Sequence, residues 1–130
     1  MSLVPKELGY TKTHEWVKVE AGTALVGITD FAQGELSDIV FVELANTGKT
    51  LKQGDPFGTV EAVKAVSDVY SPVSGEVIAA NEEVKSNPAI VNKDPYGAGW
   101  MVRIKLASPA ELTALLGPAD YELLAVKSAH

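Results

Sequence analysis

His14-Glu15-Trp16-Val17-Lys18-Val19-Glu20 alternates polar and apolar positions. A period of two sends successive side chains to opposite faces of an extended chain, so the stretch predicts a strand. Ala21-Gly22 reads as a turn and Thr23 to Ile28 as the returning strand of a hairpin. Asp30-Phe31-Ala32-Gln33 then has the form of a capping box. The Asp30 carboxylate would accept from an early helix N–H, and Gln33 would reach back to the cap. The pattern predicts a short helix that ends near Leu36.

Residues 38 to 106 read as β throughout. Strands are expected at Asp38 to Leu44, Phe57 to Ala62, Val66 to Tyr70, Gly75 to Asn81 and Met101 to Leu106. Asn46 to Thr50 predicts a loop. Lys52-Gln53-Gly54-Asp55-Pro56 predicts a turn in which Gly54 takes a positive φ. Ser108-Pro109-Ala110-Glu111 reads as a second capping box, with Pro at the first helical position where a missing N–H is harmless. Gly117-Pro118 is expected to stop that helix, and Asp120 to Val126 to add a further turn or two.

Leu51 to Pro56 resembles Val84 to Pro88. Both run apolar, Lys, polar, then a residue that tolerates left-handed φ, with Pro nearby, and each follows a hydrophobic strand. The repetition predicts two packed β halves with pseudo-twofold symmetry that meet between residues 62 and 70.

Lys64 lies at that junction, in Glu61-Ala62-Val63-Lys64-Ala65-Val66-Ser67-Asp68. It is the only charge between Glu61 and Asp68, and its neighbours are small or β-branched. A lysine held on a tight turn is exposed on a rigid base, so a modifying enzyme can read it, with Glu61 defining the epitope. The same residues fit an ordinary solvated lysine, with Glu61 as a weak surface partner. A Schiff-base lysine would need burial or a nearby cation, and no base cluster adjoins it in sequence. Spacing alone leaves these readings open.

Composition narrows the field. The chain has 130 residues, one domain by length, with its core expected over about 8–106 and a helical segment over about 108–126. A net charge of -6 argues against nucleic acid, whose phosphates attract clustered Lys and Arg, and suits partners with basic surfaces. There is no cysteine, which excludes disulfides, thiolate catalysis and thiolate metal sites. With two histidines, one of them His130, and no calcium-loop spacing, no metal site is expected. No apolar run approaches the roughly 18 residues of a membrane helix. No signal or transit peptide is read, so an intracellular chain or a processed mature form is expected, with Met1-Ser2-Leu3 carrying a cloning scar.

Five separated motifs then agree in order with one family. They are His14-Glu15-Trp16; Gly27 to Gln33; Asp38 to Leu44; Glu61-Ala62-Val63-Lys64-Ala65 with Ser67-Asp68 and Tyr70 to Val77; and Val91 to Trp100. Together they resemble the glycine cleavage system H proteins over about residues 8 to 125. The family form has Ser where Ala62 stands. The resemblance implies a mainly β barrel-sandwich hybrid of two pseudo-symmetric halves with short peripheral and C-terminal helices.

It also implies a non-enzymatic carrier with no catalytic residue. (R)-Lipoate would be attached to Lys64 as an amide. The arm would take an aminomethyl group from the pyridoxal-phosphate-dependent glycine decarboxylase and pass it to the tetrahydrofolate-dependent aminomethyltransferase. The dithiol would be reoxidised by the FAD enzyme dihydrolipoamide dehydrogenase. A lipoyl-attaching enzyme is the fourth partner, and a monomer is expected. Sulfur chemistry would belong to the prosthetic group, which fits a chain without cysteine. The loaded arm would fold into a cleft where a cationic amine wants a carboxylate. Glu15, Asp68 and Glu35 are the candidates, Glu35 standing where family members often have His. The plainer alternative for Glu15 and Asp68 is an ordinary solvated carboxylate.

Four other positions have plainer readings. His14 beside Trp16 reads as packing, Ser67 lacks a base, Asp94-Pro95-Tyr96-Gly97 predicts a turn, and Trp100 reads as core or half-buried. The rival functions are a biotinyl carrier, which usually has Met beside the lysine where Val63 and Ala65 stand, and a lipoyl-relay or regulatory homologue. A bacterial cytoplasm is the expected location, or a mitochondrial matrix for a processed form.

Overall fold

The computed structural model describes residues 3–128; the readings made for Met1, Ser2 and His130 lie outside that range. Nine strands form two antiparallel sheets among the described residues. The larger is ordered β1 (Gly9–Tyr10), β2 (Glu15–Glu20), β3 (Thr23–Ile28), β9 (Val102–Leu106), β8 (Gly75–Ala80), β5 (Thr50–Leu51). The smaller is ordered β4 (Ile39–Leu44), β6 (Pro56–Ala62), β7 (Val66–Tyr70). Val26, Val77 and Ile104 of the first sheet meet Val42, Val60 and Val69 of the second in the main core. The mainly β architecture of two sheets with short helices is as expected.

The strand β2 is where alternation gives way. Glu15, Trp16 and Val17 are all buried, because the first half of the strand is covered on both faces, whereas Lys18, Val19 and Glu20 are exposed. Val17 joins the main core, while Trp16 joins a second cluster with Leu8, Tyr10, Tyr121 and Ala125 beneath the C-terminal helix. Trp16 sits opposite Gly27 in the ladder, and a Cβ on Gly27 would lie 2.8 Å from the indole. The indole Nε1–H donates to the Pro95 carbonyl at 2.9 Å. The turn at Asp94-Pro95-Tyr96-Gly97 thereby anchors the ring, and Trp100 is half-buried as expected.

Helix α1 (Asp30–Leu36) ends where the sequence predicts. Its cap is Thr29 and not Asp30: Thr29 is extended and its Oγ1 accepts from the Ala32 N–H, leaving Asp30 as the first helical residue. The Gln33 side chain still reaches back, donating to Asp30 Oδ1 at 2.8 Å. Gly54 takes φ +93 in its turn, as expected.

The expectation of β structure from 38 to 106 fails at residues 82–93, which form α2 (Glu82–Ser86) and α3 (Ala89–Lys93). Asn81 caps the first through its Oδ1, accepting from the Glu83 N–H, and Glu82 and Glu83 favour the positive end of the helix. The second copy of the internal repeat is therefore helical. Asn87 has φ −140, so it does not reproduce the left-handed turn at Gly54.

The second capping box also fails. Residues Pro109–Ala114 form a 3-10 helix without a side-chain cap from Ser108. Glu111 is used elsewhere, accepting from both the N–H and the hydroxyl of Ser74 at 2.7 Å. Gly117-Pro118 opens the next helix, α4 (Pro118–Ser128), which is longer than the turn or two expected.

Candidate functional site

Strands β6 and β7 pair down to Glu61 opposite Val66, and Lys64 sits in the turn that joins them. The Ala62 N–H donates to the Ala65 carbonyl at 2.7 Å and closes the turn. The Val63 N–H donates to the Asp38 carbonyl at 3.1 Å and ties it to the start of β4. Lys64 is exposed between Val63 at 76% and Val66 at 65% exposure. Among the described residues the ion pairs are Lys18–Glu20, Lys85–Glu82 and Arg103–Glu20, so no Glu61 contact holds the Lys64 ammonium. The burial that a Schiff-base lysine uses is missing.

A cleft of about 260 Å³ opens beside β7. Ile28, Phe31, Leu36 and Val69 supply its apolar surfaces, and Glu35, Ser67 and Asp68 its polar ones. It begins at Ser67, three residues along the chain from Lys64. Asp68 Oδ1 accepts from the Thr59 hydroxyl at 3.3 Å. The Ser67 hydroxyl donates to the Asp68 carbonyl at 3.2 Å, with no base beside it. Glu35 and Asp68 are both exposed.

Glu15 is not among the residues lining this cleft. It is 1% exposed and lines a separate cavity of about 450 Å³ with Tyr10, Tyr70, Pro72 and Leu116. Its Oε1 accepts from the hydroxyls of Thr11, at 2.5 Å, and Thr13, while Oε2 accepts from the Tyr70 N–H at 3.1 Å. Burial raises its pKa, and these hydrogen bonds pull it back only in part. It is not the solvated carboxylate of the plainer reading. Thr13, which lines both cavities, is the link between Glu15 and the cleft.

His14 does line the cleft, and its packing is against Phe31 and Tyr121 instead of Trp16. Its φ is +72, in the left-handed region that few residues other than glycine adopt. Nδ1 lies 2.8 Å from the Tyr121 hydroxyl, which lies 2.6 Å from Thr29 Oγ1. Burial lowers the His14 pKa, opposed by the Glu35 charge. Burial pushes the Tyr121 phenol up to about 12. Helix α4 thus reaches both the cleft wall and the cap of α1. No periodicity announces that link; the only signal is an aromatic in a short terminal helix.

The sequence matches the family model described as glycine cleavage H-protein over residues 8–128. The chain belongs to the glycine cleavage H-protein family. A glycine cleavage system H protein of Carboxydothermus hydrogenoformans is 55% identical over 124 residues, covering 95% of each chain. One from Salinibacter ruber is 58% identical over 117 residues, covering 90% of this chain and 94% of the relative. The crystal structure of a glycine cleavage system H protein from Mycobacterium marinum superposes with a TM-score of 0.84 at 36% identity. That match covers 91% of this chain and 95% of the other. Matches so near full length place both the lysine turn and the C-terminal helix inside the family fold.

Proposed function

We propose that this chain is the lipoyl carrier of glycine cleavage, a single non-enzymatic carrier domain with lipoate on Lys64. The observation that carries the reading is the exposed Lys64 turn beside a cleft with apolar walls and carboxylates at its edge. A free primary amine suits amide attachment, and a cleft of about 260 Å³ has room for a small dithiolane on the end of an alkyl arm. Held on Lys64 Nζ, lipoate would supply a dithiolane for the aminomethyl group that glycine decarboxylase makes with release of carbon dioxide; the aminomethyltransferase would move its methylene carbon to tetrahydrofolate with release of ammonia, and dihydrolipoamide dehydrogenase would reoxidise the dithiol left behind.

The chain's own residues hold, present and shield. The hydrogen-bonded turn keeps Lys64 outside the fold, so the arm starts in solvent. Ile28, Phe31 and Val69 exclude water from whatever lies against them. Glu35 offers a carboxylate to a cationic amine at the cleft, and Asp68, whose carboxylate stands against Thr59 on the outer face of β7, offers one at its edge. Glu15 acts behind Thr13, fixing the loop that forms the far wall. A bacterial cytoplasm is the proposed location, supported by the bacterial relatives.

Intact mass after incubation with a lipoate–protein ligase, lipoate and ATP tests the attachment. One lipoyl group on the wild type and none on Lys64→Ala is the expected result; a gain on Lys64→Ala overturns the site. Glycine-dependent carbon dioxide exchange with the decarboxylase then tests the shuttle. Lipoylation without exchange would mean a relay protein.

A further inference from the structure

The outer face of the three-stranded sheet is uncovered. Phe41, Glu61 and Val66 stand directly opposite one another across β4, β6 and β7, so their side chains share one face. The next row on that face is Glu43, Thr59 and Asp68. A register shift between Ile39 and Phe41 leaves Val40 without a partner on β6, and Val40 and Phe41 are both exposed, at 55% and 46%. A bulge that puts two consecutive apolar residues into solvent breaks the alternation a half-buried strand needs. With Val63 and Val66 at the turn they make an apolar rim around Lys64, interrupted by the carboxylates of Glu43, Glu61 and Asp68.

Resting on the lipoyl-carrier reading, we propose that this face is the footprint of the enzyme that acylates Lys64, contacted by an apolar centre with basic groups around it. Of the partners in that reading, only the attaching enzyme must bring its active site to the bare amine. The others meet the far end of an arm and can stand off from the turn. A bare lysine extends no further than its four methylenes. An enzyme reaching Nζ therefore covers Val63 and Val66, and Phe41 lies in line with Val66 across two strands. The interspersed carboxylates set the charge of the partner and favour its approach. In the reaction Nζ attacks the carbonyl carbon of lipoyl adenylate. The C–N bond forms, the carbonyl carbon–oxygen bond to phosphate breaks, AMP leaves with the electron pair, and the ammonium's protons pass to solvent or base.

The test uses the full-length unmodified chain with lipoate–protein ligase, lipoate and ATP, initial rates being read by intact mass. Phe41→Ser and Val66→Ser should each raise the KM for the carrier about tenfold while kcat holds, since apolar anchors act in binding. Leu123→Ser, at an exposed position of α4, should leave both constants unchanged. Variants driven to full lipoylation and then reduced to the dihydrolipoyl form should be reoxidised by dihydrolipoamide dehydrogenase and NAD+ at the wild-type rate. Wild-type KM in both face variants overturns the footprint while leaving the lipoyl-carrier reading intact. Equal loss in acylation and oxidation overturns it in favour of a general defect. A wild-type chain that gains no lipoyl mass removes the reading itself, and the footprint with it.

Discussion

His14 Nδ1 and the Tyr121 hydroxyl lie 2.8 Å apart although 107 residues separate them in the chain. The same hydroxyl is 2.6 Å from Thr29 Oγ1, and the Tyr121 ring stacks on Tyr10 at 4.7 Å. Because Thr29 caps α1, one phenol joins the terminal helix to both sides of the cleft.

Tyr121→Phe keeps the stacked ring and removes that hydroxyl. Thr29 and His14 then lose a buried partner, a loss of about 1–3 kcal/mol. Thermal unfolding should show a melting point lower by several degrees. Tyr121→Ala, which also opens a cavity, should lose about 3–5 kcal/mol. Equal stability in Tyr121→Phe and wild type would show that the hydroxyl contributes nothing.

Stability on the acid side should depend on His14. Its folded pKa lies below the ordinary 6.5, so the unfolded chain takes up its proton first as pH falls. The contribution is fully present above pH 6.5 and is lost as pH falls through the lower folded value. His14→Asn tolerates the left-handed backbone and removes the titration. As pH falls from 7 to 5 its urea midpoint should fall less, or rise more, than that of wild type; an identical slope would refute the linkage.

Glu15 works in the opposite sense. Burial raises its folded pKa above 4.5, so its contribution is present below 4.5 and lost as pH rises through the folded value. Glu15→Gln removes this loss. The Thr11 and Thr13 hydroxyls can rotate to accept from the new amide while its oxygen accepts from the Tyr70 N–H. Relative to wild type, the variant should gain stability as pH rises from 4 to 7, measured by denaturant unfolding.

Gly27→Ala places a methyl group 2.8 Å from the Trp16 ring. The ring is held by Pro95, so repacking should be unfavourable by about 1–3 kcal/mol. A red-shifted tryptophan emission together with a lower melting point would register the displacement. An unchanged spectrum would mean that the loop carrying Pro95 yields.

On the carrier reading, Asp68→Asn and Glu35→Gln weaken the hold on a cationic arm. Both carboxylates are exposed, so each should speed spontaneous loss of the aminomethyl group only about two- to fivefold. Release of ammonia and formaldehyde from the isolated loaded protein measures it. Lys64→Ala, by contrast, should leave the unfolding free energy within about 0.5 kcal/mol of wild type, because the side chain is exposed and makes no hydrogen bond or ion pair among the described residues.

The sequence by itself determined the hairpin of β2 and β3, the strands on either side of Lys64, the turn at Gly54 and the extent of α1. Each of these depends on local backbone chemistry: alternation, a glycine that accepts positive φ, a helix start. The lysine turn was legible for the same reason. Local signals mislead where two polar residues compete for one role, as Thr29 and Asp30 do for the cap, and where Asn81 with two glutamates opens a helix inside an apparent run of strands. The tertiary structure alone decided the rest. It covered the first half of β2 on both faces and so buried Glu15, set Glu15 apart from Glu35 and Asp68, turned Val40 and Phe41 outward together, and brought Tyr121 to His14. Periodicity reports which side chains share a face of one element. Which faces become covered, and by what, depends on elements far away in the chain.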